Sequence, residues 1–282
     1  MVAGAARHAD DDLFAFGENW RDFSQGLDDA RLAGARSGIE RLLGDRDVSG
    51  QTFLDVGCGS GLMSLAAYQM GAQVTAFDFD PESVATSVAV RDRYASRDAY
   101  RVLQGSALDA DFVAGLGTFD IVYSWGVLHH TGDMWQAFDL VHKAVAPGGR
   151  LVLAIYNDQG LPSRVWKRVK KAYVEGGPVR QRTLVAAYGG WFAGKDVVVD
   201  AMALRHGLSR LREERRSRAG VRARGMDKHH DLVDWIGGYP FEVAKPEEVF
   251  RYFHDRGFAL SELTTCRGDL GCNEYVFSRA SR

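Results

Sequence analysis

An apolar strand that turns through alternating glycines leaves a chain few ways to fold, and Leu54-Asp55-Val56-Gly57-Cys58-Gly59-Ser60-Gly61 is such a run. Glycine, lacking Cβ, lets the backbone turn tightly and approach a ligand closely. The helix start that follows at Leu62 offers N–H groups with no partner inside the helix. Strand, glycine loop and helix in this order form a nucleotide-cofactor loop. The dinucleotide fingerprint G-x-G-x-x-G uses its loop for a pyrophosphate. Here the spacing is G-x-G-x-G, with Asp55 just upstream. A carboxylate at that place repels an anion and favours a cation.

The stretch Phe53 to Gly61 resembles motif I of class I S-adenosylmethionine (SAM)-dependent methyltransferases, whose cofactor carries an α-amino group and a sulfonium and no phosphate. Gln73 to Asp78 reads as the next strand, and Asp78 lies 23 positions after Asp55. A carboxylate there accepts hydrogen bonds from both ribose hydroxyls. Phe79 then lies against the adenine.

Composition sets limits. At 282 residues, 46% hydrophobic and 26% charged, the chain can bury a full core as one domain with an insertion. No apolar run approaches the length of a membrane span, and Met1 to Asp12 is small and acidic, unlike a secretory signal. The expectation is a cytoplasmic protein. Cys58, Cys266 and Cys272 form no C-x-x-C pair, so neither a disulfide framework nor a zinc knuckle is expected.

Strands are predicted near 51–57, 73–78, 100–104, 119–124 and 150–156, with helices over 27–44, 61–70, from Pro81, and over Met134 to Val145. Pro147-Gly148-Gly149 reads as a turn feeding the fifth strand. Such a βαβ series predicts a doubly wound, mostly parallel α/β sheet with helices on both faces. The blocks Phe119 to Val122, Val127-Leu128-His129-His130 and Pro147 to Leu151 extend the resemblance, closest to the small-molecule branch that includes ubiquinone-biosynthesis O-methyltransferases. That resemblance implies a seven-stranded Rossmann-like sheet with an edge hairpin from Phe258 to Thr264 and Asn273 to Ser278. It covers about 51–157 and 241–280.

Four segments follow from this reading: an N-terminal cap and leading helix at 1–50, the SAM-binding core at 51–158, a basic helical insertion after strand five at 159–228, and the rest of the core at 229–282. The insertion holds 17 Lys/Arg against 6 Asp/Glu, which leaves 18 against 31 elsewhere. Val165, Trp166, Val169 and Tyr173 trace an apolar stripe, with Lys167, Arg168, Lys170 and Lys171 on the other side. Two readings stay open. One is a solvated insertion; the other is a lid that meets an anionic or carrier-linked substrate, or a lipid. The aromatic run Phe14 to Phe23 is either a cap over the cofactor or a segment docked on the sheet.

Ligands of an open α/β sheet bind beyond the carboxyl ends of its strands. The resemblance therefore assigns Asp55 to cofactor binding, Gly57, Cys58 and Gly59 to the methionine side, Asp78 and Phe79 to ribose and adenine, Ser106 and Ala107 to the adenine border, and Trp125 to the sulfonium end. Arg36 on the leading helix matches, with one residue of slippage, an arginine that holds the cofactor carboxylate. Methyl transfer to an oxygen needs a proton acceptor, and histidine titrates near neutrality. His130, His230 and Asp234 are the candidates. His229 and His230 are adjacent, without the spacing of a helical zinc site, so no metal is expected. The acceptor is expected to be a small molecule, not DNA. An RNA methyltransferase with the insertion on the backbone, and a SAM-binding interaction protein without turnover, are the rival readings.

Overall fold

The computed structural model describes residues 29–44, 48–190 and 235–281. These fall into two units: a larger one within 15–167 and 240–282, and a smaller one within 168–239.

In the larger unit, helix α1 (Asp29–Leu43) leads into strand β1 (Thr52–Val56). There follow α2 (Leu62–Gln69), β2 (Gln73–Asp78), α3 (Pro81–Tyr94), β3 (Tyr100–Gln104), α4 (Ala110–Gly115), β4 (Phe119–Trp125), α5 (Met134–Val141) and β5 (Val145–Tyr156). Helix α6 (Leu161–Val174) begins here and continues into the smaller unit; α7 (Pro246–His254), β6 (Phe258–Thr264) and β7 (Cys272–Arg279) complete the larger unit. The seven strands lie in the order β3-β2-β1-β4-β5-β7-β6, and only the pairings of β7 are antiparallel. This is the doubly wound sheet with a reversed edge hairpin that the sequence predicts. Strand order reverses between β1 and β4, and the crevice beyond their carboxyl ends is the usual ligand site of such a sheet.

Side chains alternate across the strands, so each face builds its own core. Phe53, Val74, Ile121, Tyr123, Val152 and Val276 meet Ala35, Ile39 and Leu42 of α1 and Leu65 of α2. On the other face Leu54, Val122, Leu151, Leu153 and Phe277 meet Phe138 of α5 and Val249 and Phe253 of α7. Local signals set the ends. Asp80 accepts the Glu82 N–H at 3.0 Å ahead of Pro81, and Asp109 accepts from Asp111 and Phe112 to start α4, a helix the sequence reading missed. At the other end of the sheet, Asp120 accepts both the N–H and the hydroxyl of Thr52, fixing β1 beside β4.

Two expectations need correcting. The helix expected over Met134 to Val145 stops at Val141, followed by a single 3-10 turn, and β5 already starts at Val145. Val145 pairs with Phe119 and Arg150 with Ile121, so Pro147-Gly148-Gly149 bulges out within a strand where a turn before one was expected. Gly149 allows this because a Cβ there would meet three backbone oxygens at 2.8–3.0 Å.

The second concerns Lys170, which is fully buried instead of solvent-facing. It lies one turn after Trp166, at the edge of the apolar stripe, where a lysine stem packs as hydrocarbon. Its ammonium donates to the Trp235 carbonyl and sits 4.1 Å from that indole's centroid, both residues being in the smaller unit. The chain of this unit is helical again from 178 to 190. Residues 191–234 lie outside the described residues.

Phe253 is 1% exposed and packs against the rings of Phe138, Phe258 and Phe277. Phe253→Ala is expected to destabilise the protein by about 3–5 kcal/mol, read as a lower urea midpoint with unchanged slope.

Candidate active site

The loop after β1 is held by backbone bonds to its neighbour strand. Gly57 N–H and Cys58 N–H both donate to the Phe77 carbonyl, at 2.8 and 3.0 Å, and Gly61 N–H closes back on Cys58 at 2.8 Å. Gly57, Gly59 and Gly61 have φ of 76°, 52° and 76°, which favours glycine at each. Space requires it as well. A Cβ on Gly57 would fall 2.2 Å from Val127 Cγ1, and one on Gly61 would fall 2.4 Å from Ser87 Oγ. Packing against the protein's own side chains thus fixes two of the three glycines. Helix α2 then starts at Gly61 without a side-chain cap, and its positive end faces the loop.

Asp78 ends β2 beside this loop. Its Oδ2 accepts the Gly59 N–H at 2.9 Å and its Oδ1 the Asp80 N–H at 3.0 Å. Burial pushes its pKa up, and these two N–H groups pull it back. A carboxylate has about four acceptor directions, so the two bonds orient it without exhausting it. Next to it the Phe79 ring is 49% exposed, unusual for phenylalanine, and Phe77 beneath is buried.

Asp55 differs from the expectation of a cofactor-facing acid. It is 2% exposed and takes the Ser64 hydroxyl of α2 at 2.5 Å. Burial pushes its pKa up to about 7; the Ser64 bond opposes this and the charge of Asp78 adds to it. Cys58 is buried too, and burial with the nearby Asp78 and Asp55 carboxylates raises its thiol well above the ordinary value. It is a neutral thiol. Among the described residues no lysine or arginine bonds to Asp55 or Asp78, and the Asp78 charge beside the loop favours a cationic ligand.

After β3, Gly105 N–H donates to the Asp78 carbonyl at 3.0 Å, and a Cβ on Gly105 would strike the Phe112 ring. Ser106 Oγ accepts the Leu108 N–H at 3.1 Å. The side chain of Ala107 is buried in the core with Phe77, so it offers a ligand only backbone.

Trp125, the last residue of β4, is half-buried and its Nε1–H donates to Glu274 Oε1 of β7 at 2.9 Å. Arg41 of α1 holds the same carboxylate with two bonds, of 2.8 and 3.0 Å. Arg36 is elsewhere: it forms an exposed i,i+4 pair with Glu40. The arginine of α1 that reaches the sheet's carboxyl end is Arg41, and the sequence reading missed it together with Glu274.

The 3-10 turn Leu128–His130 follows. His129 is fully buried with its ring 3.9 Å from that of Tyr156, and its Nδ1 lies 3.3 Å from Tyr156 N. His130 is half-buried, and its Nδ1 is 2.7 Å from the Pro240 carbonyl. A carbonyl accepts only, so Nδ1 carries the proton and the neutral ring's lone pair sits on Nε2. Glu242, two residues on from Pro240, accepts the Met134 N–H at 3.0 Å and starts α5. The sequence holds no signal for that contact across 108 positions. His230 and Asp234 lie outside the described residues, as does Phe14 to Phe23. Among the described residues no group of three or more His, Cys, Asp and Glu is placed to hold a metal, and no helix is long and apolar enough to cross a membrane.

Comparison with known proteins agrees with this architecture. Residues 54–153 match the family model described as a methyltransferase domain. A ubiquinone biosynthesis O-methyltransferase from Caulobacter sp. (strain K31) is 31% identical over 119 residues, 40% of this chain and 46% of that protein. One from Xanthomonas oryzae pv. oryzae (strain PXO99A) is 35% identical over 111 residues, 39% and 45% of the two chains. The chain thus spans just under half the length of these relatives. Among solved structures, magnesium protoporphyrin IX methyltransferase from Synechocystis PCC 6803, with bound S-adenosylhomocysteine (SAH), superimposes with a TM-score of 0.52 at 15% identity, over 99% of this chain and 90% of that one. That likeness is one of fold.

Because Asp55 has a pKa raised from 3.8 to about 7, the folded chain keeps a proton there that the unfolded chain releases between those values. Stability therefore falls as pH rises through that window. Asp55→Asn, which keeps an acceptor for Ser64, is expected to remove a few kcal/mol of that fall, read by comparing urea midpoints at about pH 4.5 and about pH 7.5.

Proposed function

We propose, from the match of residues 54–153 to a methyltransferase-domain model and from the doubly wound sheet that carries them, that this chain moves a methyl group from SAM to an oxygen of a small-molecule acceptor. The observation that carries the reading is the oriented Asp78 carboxylate beside the glycine loop. The residues present fit the cofactor. The open acceptor directions of Asp78 suit vicinal ribose hydroxyls, and the exposed Phe79 ring suits a purine face. The Asp78 carboxylate beside the loop suits a cation and repels a pyrophosphate. Arg36, in its pair with Glu40, is set aside as the holder of the cofactor carboxylate.

SAM, when bound, supplies an electrophilic methyl group on a sulfonium. The chain has little bond chemistry of its own to do. Its loops hold donor and acceptor at attack distance, which by itself supplies much of the acceleration. His130, oriented by its Nδ1 contact with the Pro240 carbonyl, is the candidate to take the acceptor's hydroxyl proton. His230 and Asp234 remain candidates for the same task, and the basic residues of 159–228 favour an acceptor that is anionic or carrier-linked.

Asp78→Ala is expected to weaken SAH binding by about tenfold or more, measured by calorimetry. His130→Gln should leave SAH affinity unchanged while turnover drops by about a hundredfold or more. Incubation of the chain with methyl-labelled SAM and a cell extract tests the acceptor class: label is expected in the small-molecule fraction, and label confined to RNA would overturn the reading.

A further inference from the structure

Glu274 is out of place in its strand. Its neighbours Tyr275, Val276 and Phe277 are buried core residues, and Val276, two positions on, points into the apolar cluster under α1. By strand alternation Glu274 points to that same face, and so does Trp125, which packs against the cluster. The Glu274 side chain is 13% exposed. A carboxylate so placed loses most of its hydration, a cost an apolar residue would avoid.

The register shows what it meets. Glu274 lies opposite Ala154 of β5, and Ala154 opposite Trp125 of β4, so the two side chains face each other across one strand at the sheet's carboxyl end. Glu274 Oε1 takes the indole Nε1–H and one Arg41 nitrogen, and Oε2 takes the other. The two-pronged guanidinium contact fixes the plane of the carboxylate, and the pairing raises the Arg41 pKa. Beyond Trp125 the chain is held by the Gly126 N–H, which donates to the Ala154 carbonyl at 3.1 Å. Gly126 has φ of 77° and nothing within 4 Å of where its Cβ would be.

We propose that Glu274 is a positioning residue of the methyl-donor site, clamped by Arg41 so that its bond to Trp125 Nε1 fixes the indole against the cofactor. The inference rests on the reading of the β4 end as the donor site. It predicts that the two residues act as one unit on SAH affinity, because each affects the ligand through the same ring.

The test uses the full chain and two readouts: SAH affinity by calorimetry, and the 15N–1H indole resonance of Trp125 in the free protein, identified by its loss in Trp125→Phe. Glu274→Leu and Trp125→Phe should each weaken SAH by about tenfold, and the double variant should be no weaker than either. Glu274→Gln keeps an acceptor for the indole and should lie within about threefold of wild type. Arg41→Gln, at a largely exposed position, keeps the fold intact should Glu274→Leu not fold, and it should shift the indole resonance and weaken SAH by about threefold. Losses that multiply in the double variant, or an unchanged indole resonance and SAH affinity in Glu274→Leu and Arg41→Gln, would overturn the proposal. Failure of the wild-type chain to bind SAH would overturn the donor-site reading itself, and the indole resonance would still report whether Glu274 holds Trp125.

Discussion

The hydrogen bond from Gly59 N–H to Asp78 Oδ2, 2.9 Å long, joins the glycine loop of one strand to the acidic end of the next. Much of the site follows from it. Asp78 can sit there because the loop amides of Gly57 and Cys58 are already tied to Phe77 one residue earlier. The loop can approach because Gly57 and Gly61 leave Val127, Ser87 and Tyr100 the room a Cβ would fill. Parallel pairing of β1 with β2, in a register that sets Val56 beside Phe77, brings the two motifs to one level. Locally the result is an oriented carboxylate, Asp78, beside the glycine loop. Burial raises the proton affinity of both Asp55 and Asp78, and the Asp78 charge adds to the rise at Asp55.

Most of the sheet is legible in the sequence because its strands are short apolar runs between glycines and prolines, a signal that needs no distant partner. Asp78 is legible for a similar reason, being tied by spacing to the loop. What is not legible depends on contacts far apart in the chain. Arg36 and Arg41 sit five positions apart on one helix, about 140° around it, and pattern alone does not say which side faces the sheet. The answer comes from Glu274, 233 residues away. Ser64, partner of Asp55, is close in sequence, yet it reads as one more small residue in an apolar helix.

The misread segments fail for physical reasons of the same kind. A Pro-Gly-Gly run marks a turn in most settings, and here the pairing of Val145 with Phe119 makes it a bulge inside β5. Lys170 belongs to the basic face by charge, but the indole and carbonyl of Trp235, 65 positions on, draw it into the interior. Tertiary contact outweighs local pattern wherever a long side chain can reach either environment. At the β4 end the same principle joins three elements through one carboxylate: a strand-end tryptophan, a partly buried glutamate from the edge hairpin and an arginine from the leading helix.

On the proposed reading, the acidic glycine loop selects a cationic nucleoside without phosphate over a pyrophosphate-bearing dinucleotide. Calorimetric titration of the full chain with SAM, and in a second experiment with NAD, distinguishes the two. Saturable binding of one SAM per chain is expected, abolished or sharply weakened by Asp78→Ala, with no heat of binding and no competition from NAD. Binding of NAD in place of SAM, or SAM binding indifferent to Asp78, would contradict it.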